Sequence, residues 1–553
     1  MEFGIGIDDF KSVVEESIYV DKTFLLKNLL HSPRGSTFLF TRPRRFGKSL
    51  ALSMMEYFLS DARASAKPLF APYAIAKDPA LCERHQNTYR VLHLNFKDVL
   101  GNDYDSMIQG IASKVALVYD QHRGYLDKLE EEKRESFERI LRCRSSQQEL
   151  IDSLRNLCSY IVRFEKKDVV LLIDEYDSPI LRSRDGGFYD NAIAFFSAFY
   201  GTALKSNQDL CYGVLTGVAQ IEKESIFSGL NNLVVNNVFS HGVEYFGFTK
   251  DEVSSLLEKA GLDNLKDEAE TNYGGYRFGD NDVYNPWSVL SMVSAKGRFG
   301  LYWTSTSENS LIAEVLRSGD EDPELFDALY RLGSMNTFRT YLDQIVSFQD
   351  IHLGLAETLS LLVSSGYLTA TESFMDGTME IRIPNREISS IFYKEITLRY
   401  LTPSQRVAAF NLSDAFRSKD IHALSDALET YLLNAFSAYE MNDEKSYQVM
   451  VLTLCAVAFQ SHLVKAEQNV GKGRCDIIVY PTKGDPLGIV IETKFYKSKV
   501  SSSALRALAE KALEQIHDRE YASDLKKMGA SPIHLFGFAF AKKHSAIVSQ
   551  TAK

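Results

Sequence analysis

The sequence predicts an α/β multidomain protein. Two observations carry this. Short apolar runs alternate with helical stretches over the first half, and an apolar hairpin followed by a helix and a last strand closes the chain. The length fits several domains: 553 residues against a typical domain of about 150. Composition is ordinary for a folded protein, with 45% hydrophobic and 24% charged residues, which excludes a disordered chain, a fibre and a coiled-coil rod.

The elements follow in order. Ser36 to Thr41 (STFLFT) reads as a strand, and a helical pattern runs from Lys48 to about Leu59. Tyr89 to Phe96 is a second strand. A long charged helical stretch covers about 104 to 165, and its run from Glu130 to Arg134 reads as a solvated face. Val169 to Asp174 (VVLLID) is continuous and apolar, as in a strand buried on both faces. A helix near 188 to 205 precedes the strand Cys211 to Thr216. Strands alternating with helices indicate a parallel sheet. At 249, Thr249 and Glu252 have capping-box spacing before a periodic helix. Residues 300 to 435 read as mostly helical, with short strands near 367 and 380. A helix from about 444 to 460 leads to the hairpin Cys475 to Tyr480 and Leu487 to Tyr496, joined by the turn-rich stretch 481–486. A helix from 502 to 519 and a strand from 533 to 540 finish the pattern. These changes of texture divide the chain at 1–245, 246–435 and 436–553.

Charge and cysteines narrow the function classes. The formal net charge of −11 argues against a protein that coats nucleic acid. Basic residues nevertheless gather at Arg42, Arg44, Arg45 and Lys48, and again at Lys472, Arg474, Lys494, Lys497 and Lys499, so contact with nucleic acid would be local. The six cysteines are scattered with no CxxC pair, which is neither a disulfide framework nor a zinc pattern. The start MEFGIGIDDF lacks the basic and apolar parts of a signal peptide, and no apolar run approaches a membrane span. The expected location is the cytoplasm.

Two groups of residues carry chemistry. In the first, the loop 42–49 (RPRRFGKS) sits between a strand and a helix, where backbone N–H groups at the helix start can face phosphate. Lys48 would reach the β and γ phosphates, and the Ser49 hydroxyl would take a place on Mg²⁺. Arg42 stands where such loops usually begin with Gly. Asp174 ends an apolar strand and can hold Mg²⁺ through water, while Glu175 can orient or deprotonate an attacking water. Thr216 is either a polar sensor beside the γ phosphate or an ordinary strand-end threonine. Arg42, Arg44 and Arg45 supply charge for a triphosphate or for nucleic acid, or pair with acids such as Asp21; the nucleotide-site reading is preferred. Phe46 and Gly47 complete the nucleotide-binding loop.

In the second group, a hairpin centred near Gly484 places Asp476 opposite Glu492. Lys494, two residues on, shares the face of Glu492. Two carboxylates can hold Mg²⁺, which activates water and offsets developing charge on a phosphodiester. Lys494 can orient the water or offset phosphate charge. Like charges opposite each other destabilise a plain surface ribbon, and the flanks are too apolar for one.

The sequence resembles a known family. YVDKT at 19–23, TRPRRFGKSL at 41–50, LLIDEYDSPI at 171–180, LTGV at 215–218, KESIFSGLNNL at 223–233, GGYRFG at 274–279 and YNPWSVL at 284–290 are similar to the prokaryotic AAA-ATPase-like family. Its members usually carry a C-terminal PD-(D/E)XK nuclease-superfamily domain. The resemblance covers nearly the whole chain. It implies a P-loop ATPase domain, a helical lid and winged-helix-like region, and a restriction-endonuclease-like α/β fold. RPRRFGKS is the form of the loop typical of that family. Where it often has Arg after LTGV, this chain has Gln220, so the resemblance implies nucleotide binding more firmly than hydrolysis. Arg277, in YRFG, becomes a candidate partner for the γ phosphate or a surface arginine beside aromatics. GKGRCDIIVY, IVIETKFY and ALEQIHDREY resemble the nuclease core. On that likeness Asp476 is the D, Glu492 to Lys494 the ExK, and Gln515 and Tyr521 the QxxxxxY helix pattern. Glu467 matches an upstream acid and Glu444 stands in the place of a first-helix acid, with an ordinary solvated glutamate the preferred reading of each.

The expected function is ATP- and Mg²⁺-dependent phosphodiester cleavage of nucleic acid, DNA rather than RNA, with defence against foreign DNA as a context by analogy. The alternative is a nucleotide-dependent switch or scaffold that binds nucleic acid without cutting. No membrane partner is expected, and a homo-oligomer is open.

Overall fold

The computed structural model describes residues 4–99, 101–205, 207–218, 220–221, 226–227, 231–240, 245–303, 324–325, 328–329, 332, 337–342, 354–392, 412–435, 444–459, 462–482, 484–542 and 544–552. The chain forms two compact units, one of residues 1–307 with 340–380, the other of 308–339 with 381–553.

The first unit is built on a five-stranded parallel sheet of order β2-β3-β4-β1-β5. Its strands are β1 (Ser36–Thr41), β2 (Arg90–Asn95), β3 (Val169–Asp174), β4 (Leu210–Gly217) and β5 (Leu233–Asn236). Every residue of β1, β3 and β4 is buried, as expected of parallel strands covered on both faces. Helix α1 (Lys48–Leu59) follows the loop after β1. The stretch expected as one long helix is broken into α2 (Tyr104–Asp120), α3 (Glu131–Leu141) and α4 (Gln147–Glu165). Ser146 and Glu149 start α4 with a capping box, which places a helix boundary inside the charged run. Helix α5 (Tyr189–Leu204) precedes β4.

Beyond the sheet, α6 (Lys250–Ala260) starts at the expected Thr249 capping box. Strands β6 (Phe248–Thr249), β7 (Tyr276–Phe278) and β8 (Asn281–Tyr284) form a small antiparallel sheet of order β6-β8-β7. Helix α7 (Leu355–Ser365) ends at Gly366, whose φ of +89° needs glycine. A Cβ there would also sit 2.7 Å from Pro43 of the loop after β1. A further three-stranded sheet, of order β10-β11-β9, is made by β9 (Phe338–Thr340), β10 (Thr369–Ser373) and β11 (Met379–Arg382). Within the region expected as a helical lid and winged-helix-like part, the described residues give this helix followed by a two-stranded hairpin. Most of the stretch from 304 to 353 and from 393 to 411, expected as helical, lies outside the described residues.

In the second unit, α8 (Glu444–Ala458) precedes a mixed sheet of order β12-β13-β14-β15-β16. The strands are β12 (Leu463–Val470), β13 (Gly473–Tyr480), β14 (Gly488–Tyr496), β15 (Ile533–Ala541) and β16 (His544–Thr551). Only β14 and β15 run parallel. Helix α9 (Ser502–Asp518) supplies the crossover between them. It lies so close to β15 that a Cβ on Gly537 would collide with the Ala509 carbonyl. That close approach sets the height of α9 above Glu492, the partner of Gly537 in the parallel register.

Candidate functional sites at two strand ends

In the first unit, the order β3-β4-β1 brings three functional segments side by side at the carboxyl ends of the strands. Phe40 pairs with Thr216 and Ile173 with Leu215, so Asp174, Thr216 and the loop after β1 share one edge. Open α/β sheets bind ligands at this edge. Asp174 is buried. Its Oδ1 accepts from the Thr216 hydroxyl at 2.5 Å and the Glu175 N–H at 3.0 Å, and its Oδ2 from Asn95 at 3.1 Å. Glu175, with φ of +55°, turns the chain at the end of the strand.

Gly47, with φ of +86°, caps α1, and an added Cβ would meet nothing, so its role is backbone shape. Lys48 is buried, and its Nζ donates to the carbonyls of Arg42 at 2.9 Å and Pro43 at 3.0 Å. Burial lowers its pKa, while Glu175, Asp177 and Asp174 act to raise it. Ser49 follows in the first turn of α1, half-buried. A lysine, a helix start, a hydroxyl and two acids at one edge fit a nucleotide phosphate with its cation.

The arginines divide. Arg42 points inward and is fully buried. Its Nη1 donates to the carbonyls of Thr41 at 2.7 Å and Asn236 at 2.8 Å, and its guanidinium lies over Phe246 and Phe278. Burial pushes its pKa down to about 9. The pairing with Asp21 does not form: Asp21 accepts from Thr23 and from the Ala74 N–H. Arg45 stacks on Trp287 at 4.1 Å, and Arg44, exposed, offers its carbonyl to the Trp303 indole at 3.0 Å. Phe46 packs edge-on against Tyr276 and tilted on Phe278, both 5.1 Å away. Its side chain is therefore an anchor, and only its backbone is left to face phosphate. Arg277 pairs with Asp282 at 3.5 Å on its own hairpin. Gln220 is buried.

Sequence reasoning missed Asn95, Asp177 and the two tryptophans. Asp177 is fully buried and accepts from the Val218 N–H at 2.7 Å, tying the end of β3 to the end of β4. The third acid of the IDEYD run was its signal. Trp287 and Trp303 are the chain's two tryptophans, and each touches the loop 42–49. Nothing in their local sequence points there.

In the second unit, the hairpin register pairs Ile477 with Ile491 and Val479 with Ile489. Continued by one residue it sets Asp476 opposite Glu492, as the sequence predicts, and the Asp476 N–H reaches Glu492 Oε2 at 3.4 Å. Asp476 Oδ2 accepts from the Thr493 N–H and hydroxyl, both at 2.7 Å. Glu492 Oε1 accepts from Lys494 Nζ at 3.0 Å and from the Gln515 amide. Gln515 also lies 3.5 Å from the Tyr521 hydroxyl, which donates to the Arg474 carbonyl at 2.7 Å. The five residues Asp476, Glu492, Lys494, Gln515 and Tyr521 thus form one connected set. On β12, pairs on either side of Glu467 (Ala466 with Ile477, Gln468 with Cys475) set position 467 opposite Asp476. The side chains of Glu467 and Glu444 lie outside the described residues.

Charge is unbalanced here. Burial, and then the neighbouring Asp476, push Glu492 up to about 7, and burial raises Asp476. Two largely desolvated acids with one lysine bonded to Glu492 are short of positive charge. Among the described residues no third acid, His or Cys joins them. Paired oxygen donors of this kind fit a hard divalent cation.

Comparison with known proteins places each of the two regions beside a family. Residues 4–227 match the family model described as Predicted AAA-ATPase, and residues 442–550 match that of the PD-(D/E)XK nuclease superfamily. These matches bear out the resemblance read from the sequence. A curated relative, "Uncharacterized protein in vnfD 5'region" of Azotobacter chroococcum mcd 1, is 26% identical over 574 residues, covering 98% of this chain and 97% of the relative. Among solved structures, the Aeropyrum pernix ORC2 protein in its ADPNP–ADP complexes is 12% identical, with a TM-score of 0.26, covering 70% of this chain and 99% of its own.

Proposed function

For a chain that joins an AAA-ATPase-like domain to a PD-(D/E)XK nuclease-superfamily domain, we propose nucleotide-controlled, Mg²⁺-dependent cleavage of nucleic acid. The observation that carries this reading is the connected set of Asp476, Glu492, Lys494 and Gln515 on β13, β14 and α9. Asp476 and Glu492 would hold the cation. Bound there, it supplies a Lewis acid and a water of lowered pKa. Lys494 offsets phosphate charge at the same place, and Gln515 holds Glu492 in orientation, itself steadied by Tyr521. Burial holds protons on the acids to higher pH, so a cation would displace a proton there, and it leaves the ionised pair weakly screened.

At the first site, Lys48 would exchange two loop carbonyls for phosphate oxygens, with Ser49 and Asp174 on the cation and Glu175 toward water. Thr216 would sense the γ phosphate through its bond to Asp174. Arg44, Arg45 and Arg277 would add charge. The exchange at Lys48 alters the loop that Trp287, Trp303 and Tyr276 hold, which gives bound nucleotide a route to residues beyond 245. Parts at 1–245, 246–435 and 436–553 are the division we propose for these roles, in the cytoplasm and with DNA as substrate.

The test is incubation of the intact protein with plasmid and single-stranded DNA, with Mg²⁺ and with or without ATP. Cutting that responds to ATP, and loses that response in Lys48→Ala, supports the reading. Cutting indifferent to both ATP and Lys48→Ala removes the control by nucleotide.

A further inference from the structure

Beside the carboxylate pair lies a cleft of about 540 Å³. Gln515 and Tyr521 form part of its wall, so the amide that holds Glu492 also faces the cleft. Helix α9 contributes Lys511, Glu514, Gln515 and Asp518, a spacing of three, four and seven that puts them on one face. Arg474 and Arg519 come from the start of β13 and the residue after α9. The Arg519 guanidinium donates to the Lys472 carbonyl at 3.2 Å, which braces it at the mouth.

The volume lies in the roughly 300–1,000 Å³ range of pockets that hold one small molecule, and a base-paired duplex is far too wide for it. The lining carries both signs of charge. Lys511, Glu514 and Asp518 make no ion pair with one another or with any other described residue. A plain track for the sugar–phosphate backbone would be lined by cations, because carboxylates repel phosphate. A nucleotide has both needs: its phosphate wants cations, and the amino group of its base wants an acceptor. Carboxylates accept from the exocyclic amine of cytosine, and adenine and guanine carry one as well. Thymine and uracil have none.

We propose that this cleft is the subsite for one unstacked nucleotide next to the scissile phosphate, and that it selects bases carrying an exocyclic amino group. Lys511, Arg474 and Arg519 hold the phosphate; Glu514 and Asp518 read the base edge, as enzymes do with a base taken out of its stack. The inference rests on the reading of the C-terminal domain as acting on nucleic acid. It adds that the substrate is single-stranded, or has an unpaired nucleotide at the cut.

The experiment is binding of fluorescent oligo-dC, oligo-dA and oligo-dT to the intact protein, followed by anisotropy with EDTA present so that no strand is cut. Oligo-dC and oligo-dA are expected to bind about tenfold tighter than oligo-dT. The double variant Glu514→Ala/Asp518→Ala, at two exposed helix positions, brings that ratio to within about twofold. Arg519→Ala weakens all three alike. Equal binding of the three by the wild type, a ratio unchanged in the double variant, or no binding at all would overturn the inference. Cleavage assays on Asp476→Ala judge the underlying reading separately. Asp476-dependent cutting without base preference would sink this inference alone.

Discussion

At the end of β3, Asp174 is met by a hydroxyl, an amide and a backbone N–H, all neutral donors. On β14, Glu492 meets a second carboxylate, and both acids are driven upward in pKa. The lysines differ in the same sense. Lys48 rests on two carbonyls of its own loop, whereas Lys494 is bound to Glu492. The first site is a backbone cradle held in shape by its surroundings, and the second is an electrostatic deficit. A cradle recognises by geometry. A deficit recognises whatever cation fits between its oxygens.

The largest expected effect comes from deepening the deficit's failure to hold a cation. Asp476→Ala or Lys494→Ala should lower cleavage by at least about 100-fold while leaving ATP affinity unchanged. Equal loss at both sites would break the comparison. Next is the cradle. Lys48→Ala should weaken ATP by roughly ten- to a hundredfold, one to two charge-assisted hydrogen bonds to phosphate. The chain's two tryptophans both touch the loop, so ATP should change intrinsic fluorescence. A flat signal in the wild type, where calorimetry shows binding, would contradict the bracing.

The deficit also predicts a pH dependence. Glu492 is held near 7 in the folded chain against an ordinary 4.5. The folded state therefore keeps its proton to higher pH than the unfolded state. Stability from this group is full below about 4.5 and is lost as pH rises through about 7. The loss is up to about 3 kcal/mol. Glu492→Gln should raise the melting temperature at pH 8 without metal and change little at pH 5. Mg²⁺ should stabilise the wild type at pH 8 more than at pH 5. The reverse order would mean that the carboxylates are already satisfied.

The smallest effect sharpens the comparison at its edge. Tyr521→Phe removes the hydroxyl that donates to the Arg474 carbonyl at 2.7 Å and lies near Gln515. The carbonyl loses one neutral hydrogen bond, about 1 kcal/mol, and cleavage should fall only severalfold. A loss as large as that of Asp476→Ala would place Tyr521 in contact with the reacting phosphate.

Much of this was legible in the sequence because period and position carry it. The hairpin about Gly484 set the register of Asp476 and Glu492, since opposite residues are equidistant from a turn. The buried runs of β1, β3 and β4 announced a parallel sheet. Strands β5, β12 and β16 were not seen: each is an outer strand of its sheet, and LVVN, LVKAEQNV and HSAIVSQT are short or too weakly alternating to stand out. Arg42 was misjudged by the usual exposure of arginine. Its burial is a tertiary fact, made by the Asn236 carbonyl and two phenylalanines far along the chain. The same holds for Trp287 and Trp303, which meet the loop only after folding.

The account turns on the claim that Asp476 and Glu492 bind a divalent cation. Calorimetric titration of Mn²⁺ or Mg²⁺ into the intact protein at pH 6.5, in two buffers of different ionisation enthalpy, tests it most directly. The predicted result is binding that releases a good part of one proton and is lost in Glu492→Gln. Binding unchanged in that variant, or no proton release, would contradict it.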